Sequence, residues 1–334
     1  MKKKVYVGFK FSHMGPRAGY DLVKRHVNYD IFIDCQLGYE WQQKFSSQRT
    51  LLSKIYGRIF GGRLWWVEWQ CLFLALFNKN LVFHFIYPEN TYRYLGLFKW
   101  LGFKIVCTYH QPASFFSAHP EYLGGLRYVD DVIVLSDDSS RVFEDKMDKN
   151  HVHFIPHGVD STFFCPNSSV SRHREILMVG NWMRNFSFAD KVFNRLFQDD
   201  SDVVIHIITM KSNHKNFGAH PRLHLHSEIS DQDLLLRYRS ASLLFLSLNG
   251  FAANNAVLEA ASVGCSILIS SDQEPDKSAE NLISYVPMNL DVAVRRVFKM
   301  LSEPNVINWT MREWVVQQFA WPVIGEKTQK ILVE

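Results

Sequence analysis

Short apolar runs, rich in β-branched and aromatic residues, recur along the whole chain, and each is followed by a longer amphipathic stretch. In the first half they fall at residues 5–11, 29–34, 81–87, 104–109, 131–135 and 151–155. In the second half they fall at 176–179, 203–209, 222–225, 242–247, 266–271 and 283–286. Runs this short have the length of buried strands and the stretches between them that of helices, so the pattern predicts βα units around parallel sheets. The rhythm breaks at Cys165-Pro166-Asn167-Ser168-Ser169-Val170-Ser171-Arg172, whose Pro/Ser content is that of a linker. The expected architecture is α/β: two doubly wound Rossmann-like domains, residues 1–165 and 172–310, facing each other across an interdomain cleft. Ligands of such sheets bind at the carboxyl ends of the strands.

Composition narrows the function classes. A chain of 334 residues is long enough for two domains with a core each, and 47% hydrophobic with 21% charged residues is a globular balance. A net charge of +4 argues against a dedicated nucleic-acid binder and leaves an anionic membrane surface open. Cys35, Cys71, Cys107, Cys165 and Cys265 are scattered, odd in number and without metal-ligand spacing, which points to a reducing compartment. Met1-Lys2-Lys3-Lys4 leads straight into the first strand-like run without a signal-peptide core, and no apolar run reaches the ~20 residues that span a bilayer. The expected location is cytoplasmic, with membrane contact only at the surface.

The chemistry concentrates in the stretch from Leu244 to Gly264. A buried strand leads into Asn249-Gly250-Phe251-Ala252-Ala253 and then into a helix opening with Asn254-Asn255 and carrying Glu259. Ala252 and Ala253 let a ligand approach the backbone. The free N–H groups and positive dipole end of the helix favour a phosphate. Asn255 and Glu259 share one helical face, so a carboxylate one turn in is placed to accept hydrogen bonds from sugar hydroxyls. The plain alternative is a strand–loop–helix unit in which Asn254 merely caps the helix. After the first strand, Gly15 and Gly19 do not form G-x-G-x-x-G, so the dinucleotide fingerprint is absent. Their alternative is a tight turn into the first helix. His110 stands at a strand end, where an imidazole can hydrogen-bond a sugar hydroxyl or carry a proton near neutral pH. Glu89, just past the preceding strand, can bind an acceptor hydroxyl, act as a base, or cap a helix beginning near Tyr92.

Gly250-Phe251 and Glu259-Ala260-Ala261-Ser262-Val263-Gly264 resemble the nucleotide-sugar loop E-G-F-G-x-x-x-x-E-A-x-A-x-G-x-P of retaining glycosyltransferases of the GT-B fold (group 1, family 4-like), and Ala253-Asn254-Asn255 resembles a subgroup with A-N-N before the glutamate. Pro156-His157-Gly158-Val159-Asp160 with Phe164 is similar to the P-N/H-G-V-D-x-x-x-F signature closing the family's N-terminal domain. Phe319-Ala320-Trp321-Pro322 and the residues after it, within the terminal segment 311–334, look like the closing helix that crosses back to the first domain. The family's first loop glutamate is missing here, and Cys265-Ser266 stands where G-x-P-V is usual.

The resemblance implies transfer of a sugar, with retention, from a nucleotide-diphosphate sugar to a glycan or lipid-linked acceptor, as in cell-surface polysaccharide or lipopolysaccharide synthesis. The first domain would handle the acceptor and the second the donor. No cofactor or metal is expected, since no Asp-x-Asp pair sits at a strand end. Glu259 would bind the ribose, and Ala253, Asn254 and Asn255 the sugar or phosphates. Arg184 would clamp the diphosphate, although the family places its arginine directly after the glycine, where this chain has Gly180-Asn181. Lys211, or Lys215, would supply a second cation. Gly15 and Gly19 would line the donor phosphates, and His110 and Glu89 would face the sugar. Ser227–Leu234 resembles the loop that holds the nucleotide base, while Ser230-x-x-Asp233 is also a capping-box variant.

Residues 51–77 differ in character. Apolar and basic residues interleave at helical spacing and Trp65, Trp66 and Trp69 cluster, which fits either a helix in a membrane interface or one packed on the sheet. The missing glutamate and displaced arginine motivate a second hypothesis, a catalytically silent scaffold of a membrane assembly. A third is a sugar-nucleotide epimerase.

Overall fold

The computed structural model describes residues 2–11, 15–48, 50–60, 64–91, 95–250, 254–273 and 282–333. They form two compact units. One comprises residues 1–14, 18–158 and 321–334, the other 15–17 and 159–320. Each of the twelve apolar runs contains a strand, with ends shifted by up to three residues.

The first unit runs β1 (Lys3–Gly8), β2 (Ile31–Asp34), α1 (Gln36–Ser47), α2 (Leu51–Phe60), α3 (Trp65–Phe77), β3 (Leu81–Phe85), α4 (Pro88–Thr91), α5 (Leu95–Trp100), β4 (Lys104–Tyr109), α6 (Ala113–Ala118), β5 (Asp131–Val134), α7 (Asp137–Glu144) and β6 (Val152–Phe154). Its strands pair in parallel in the order β2-β1-β3-β4-β5-β6. Every residue of β3 is buried, as expected of a central parallel strand covered on both faces. Its one polar member, His84, is satisfied by two hydroxyls: Tyr29 lies 2.6 Å from Nδ1 and Thr108 lies 2.7 Å from Nε2. Strand order reverses between β1 and β3, so this sheet's crevice lies beyond their carboxyl ends.

The second unit runs β7 (His173–Val179), α8 (Phe186–Asp199), β8 (Val204–Ile208), β9 (Leu223–His226), α9 (Asp231–Ser240), β10 (Ala241–Ser247), α10 (Asn255–Ser262), β11 (Ser266–Ser270), β12 (Ser284–Val286), α11 (Leu290–Ser302) and α12 (Trp309–Phe319). The sheet is parallel, ordered β12-β11-β10-β7-β8-β9, and reverses between β7 and β10. Helix α10 is followed, after Val263, by Gly264, whose φ of +68° favours glycine. A Cβ there would stand 2.7 Å from Ile307 and 3.0 Å from the Asn308 nitrogen.

The chain leaves the first unit at Gly158, ahead of the linker-like stretch, because Val159 and Phe164 are already core of the second unit. Asp160 shapes this passage, accepting from Thr162 Oγ1 (2.7 Å), the Phe163 amide (3.1 Å) and Arg17 (2.9 Å). Of the closing residues, α12 stays with the second unit, and α13 (Trp321–Val333) belongs to the first, where Trp321 is buried. From α12, Arg312 reaches the carbonyls of Phe164 (2.9 Å), Ser262 (2.8 Å) and Ser161 (2.8 Å) and the Ser262 hydroxyl (2.6 Å). Removing this guanidinium strands several part-buried acceptors. Arg312→Ala is therefore expected to cost about 3 kcal/mol of stability, read from the midpoint of a urea unfolding curve at unchanged slope.

Candidate functional site

The switch point of the second sheet gathers the expected donor residues. Strand β7 ends at Val179, and Gly180 follows with φ +108°. The next residues turn back on themselves, with Met183 left-handed at φ 56°. The turn is tied to the end of β10 by the Asn185 amide on Ser247 O (2.9 Å) and the Asn249 amide on Met183 O (3.0 Å). Arg184 is thereby folded back over Gly180, where a Cβ would lie 2.6 Å from Nη2. The spacing that sets this arginine three residues late in the sequence closes up in space.

The guanidinium is held by neutral oxygens. Nε and Nη2 donate to Val179 O (3.0 and 2.8 Å), Nη1 to Trp182 O (3.0 Å) and Nη2 to Asn254 Oδ1 (3.1 Å). Among the described residues no carboxylate pairs with it. Burial lowers its pKa to about 10, so it stays a cation at neutral pH. A part-buried cation with only dipolar partners is a site for an anion. Asn254 holds the N-cap position of α10, yet its side chain makes no capping bond and instead accepts from Arg184. Simple capping is thus not what its side chain does, and the positive end of the helix dipole stands beside the guanidinium.

One turn further, Glu259 is buried, and the Tyr238 hydroxyl of α9 donates to its Oε2 at 2.9 Å. Burial pushes the carboxyl up to about 8. Asn255, four residues earlier on the same helix, is part-exposed. Ala253 lies outside the described residues.

Asn181, which directly follows Gly180, is a clamp: its Oδ1 accepts from Thr209 Oγ1 (2.8 Å) and the Met210 amide (2.7 Å), joining the loops after β7 and β8. Lys211 is exposed at the start of the 3-10 turn that follows. Gly15 packs on Asp231, where a Cβ would meet Oδ1 at 2.4 Å, and the Arg17 amide donates to Oδ2 of the same carboxylate (3.1 Å). Ser230 caps α9, its hydroxyl accepting from the Asp233 amide at 3.1 Å and donating to Asp233 Oδ2 at 2.7 Å.

In the first unit, Gly19 (φ 107°) precedes the 3-10 turn Tyr20–Arg25. Glu89 and His110 meet beyond the carboxyl ends of β3 and β4. Glu89 Oε1 accepts the His110 amide at 2.8 Å, while Oε2 is buried without a hydrogen bond. The alternative role, capping a helix near Tyr92, falls on residues outside the described ones. Burial raises Glu89 to about 7. His110 Nε2 donates to Ile86 O at 2.6 Å, and the ring packs between Tyr20 and Tyr87. Burial lowers it to about 3, which leaves the ring neutral. In this state it is no proton carrier near pH 7. Nδ1 is left as an acceptor for a hydroxyl.

Tyr238 was not legible as a site residue. On α9 it follows Leu235 by three positions on a buried face and reads as core.

No protein-family model matches the sequence, and no curated protein matches it. Among solved structures, the chain is similar to Anabaena HepE, solved in complex with UDP and glucose (11% identity, 100% of both chains, TM-score 0.69). It is also similar to a glycosyltransferase from Rickettsia africae (15% identity, 99% of this chain and 98% of that one, TM-score 0.68). A third likeness is to the UDP-forming α,α-trehalose-phosphate synthase of Burkholderia xenovorans (13% identity, 98% and 99% covered, TM-score 0.67). The fold is GT-B: two parallel six-stranded α/β units.

Proposed function

We propose that the protein is a glycosyltransferase that takes its sugar, with retention, from a nucleotide-diphosphate donor and passes it to a glycan or lipid-linked acceptor. The observation that carries this is the Arg184 guanidinium, held by neutral oxygens beside the N-terminus of α10. As the bond between the sugar's anomeric carbon and the diphosphate breaks, negative charge grows on the departing oxygen. Arg184 and the helix end are assigned to that charge, a fixed electrostatic stabilisation that needs no resident metal in this scheme. Glu259, oriented by Tyr238, takes the ribose hydroxyls, with Asn254, Asn255 and Ala253 toward phosphates and sugar. From the first unit, His110 is assigned to a sugar hydroxyl. Glu89, with its unpaired oxygen and a pKa near 7, is assigned to the acceptor hydroxyl that forms the new bond. The setting we assign is cell-surface polysaccharide or lipopolysaccharide synthesis at the cytoplasmic face of a membrane.

Thermal stabilisation by UDP, GDP and their sugar conjugates tests the donor site. A nucleotide at ~100 times its dissociation constant adds roughly 2.7 kcal/mol to stability. One nucleotide should shift the melting temperature, and Glu259→Ala should erase most of that shift. No shift with any nucleotide at millimolar concentration would sink the proposal. The anomeric configuration of the product, read by NMR, decides retention.

A further inference from the structure

Helices α1 to α3 carry two characters at once. On α3, Val67, Cys71 and Ala75 are buried in the first unit's core. Its opposite face leaves Trp69 57%, Phe73 64% and Phe77 73% exposed, at successive four-residue steps, with the rings of Phe73 and Phe77 5.2 Å apart. The expectation of a helix packed on the core thus holds for one face, and the other face is exposed. The neighbouring helices α1 and α2 carry exposed apolar side chains of their own. On α1, Trp41 is 55% exposed and stacks on Phe45, whose ring meets Tyr56 of α2. On α2, Leu51 and Leu52 are exposed. Gly38 of α1 packs so closely on Trp66 of α3 that a Cβ would stand 1.6 Å from its ring.

Charge says what covers this face. Residues 36–80 contain six Lys and Arg against two Asp and Glu, a net +4 that equals the charge of the whole chain. Of the two carboxylates, Glu68 is buried and Glu40 accepts from Gln36 at 2.8 Å. Lys44, Lys54 and Lys79 are exposed on or beside the three helices. A second copy seated on this face by a two-fold axis would set these cations against themselves. An anionic lipid surface complements them and takes tryptophan at its headgroup boundary. No described helix is long and apolar enough to cross a membrane, so the helices would lie in the plane of the interface.

We propose that α1–α3 form a docking surface for an anionic lipid bilayer, with Trp41, Trp69 and Phe73 entering the headgroup–acyl boundary and Lys44 and Lys54 meeting lipid phosphates. The full chain is sedimented with phosphatidylcholine vesicles, with or without phosphatidylglycerol. Partitioning should be at least tenfold stronger with phosphatidylglycerol and should weaken as salt rises. Trp69→Ser with Phe73→Ser should cut it at least tenfold without lowering the melting temperature, because both side chains are exposed. Lys44→Glu with Lys54→Glu should remove the preference for anionic lipid. Equal pelleting with both vesicle types would overturn the proposal. So would a dimer in analytical ultracentrifugation that the Trp69/Phe73 variant dissociates while no vesicle binding is seen. The residues assigned to the nucleotide, Arg184, Asn254, Asn255 and Glu259, belong to the second unit, so nucleotide-induced stabilisation of the same variant reports separately on the catalytic proposal.

Discussion

Replacing Arg184 with alanine is expected to lower kcat/KM for the nucleotide sugar by roughly 10²–10³-fold, the usual loss on removing one group that stabilises charge in a transition state. The guanidinium donates to Val179 O, Trp182 O and Asn254 Oδ1, so its plane is fixed before any ligand arrives, and no reorganisation is needed as charge develops. Arg184→Lys should rescue little. An ammonium on a flexible stem cannot donate to Val179 O through two nitrogens and also hold Trp182 O and Asn254 Oδ1 in one plane, so the cation would no longer be fixed in place. Gly180→Ala should reproduce much of the defect without touching the arginine, because a Cβ would lie 2.6 Å from Nη2 and the φ of +108° is costly for alanine. Urea unfolding of each variant separates loss of function from loss of fold. If Arg184→Ala bound nucleotide and turned over donor within threefold of the parent, the diphosphate role would be lost.

The fold was readable because parallel sheets covered on both faces demand apolar central strands, and the chain shows twelve strand-length runs of which the central ones, such as 81–87 and 242–247, are the most apolar. The loop–helix part of the site was readable for a different reason: Asn254, Asn255 and Glu259 lie within six residues of each other, so one helix fixes their geometry. Arg184 was placed but looked displaced. Only the left-handed Met183 and the glycine beneath the guanidinium bring it back to the strand end, and no spacing rule encodes that turn. Tyr238 was invisible because its link to Glu259 spans 21 residues and two helices. His110 was found by position, yet its charge state depends on burial by Tyr20 and Tyr87, which sequence does not show. The segment 51–77 read as either interfacial or packed because amphipathic spacing does not say which half of a helix meets the core.

The second large effect is a stability profile with a maximum near pH 6.5. Four imidazoles are held neutral by burial: His84, His110 and His206 with pKa values lowered to about 3, and His157 to about 4. Beside His206, Arg237 Nη1 at 3.3 Å adds to the effect of burial. An unfolded histidine titrates near 6.5. As pH falls below that value the unfolded chain takes up protons the folded chain refuses, so stability is lost from about 6.5 down to the folded values. At pH 4.5 one such histidine costs up to about 2.7 kcal/mol, against a total stability of roughly 5–15 kcal/mol. Glu89 and Glu259 act with the opposite sign. Their folded values, about 7 and about 8, lie above the ordinary carboxyl range, so their contribution is full at low pH and is lost as pH rises toward 8. Between pH 6.5 and 4.5 the two glutamates offset part of the histidine loss; below 4.5 nothing offsets it. Depressed Asp131 and Asp160 then add to the loss, since their stabilisation disappears as they protonate. Urea midpoints measured from pH 8.5 to 4 should therefore rise to a maximum near 6.5, fall gently to 4.5 and collapse below it. Glu259→Gln keeps the buried group neutral at every pH, so it should raise stability at pH 8 by up to ~4 kcal/mol and leave the acid limb unchanged. A flat profile between pH 6 and 4 would mean the imidazoles protonate in place. No gain for Glu259→Gln at pH 8 would mean that the carboxyl is already ionised within its pocket.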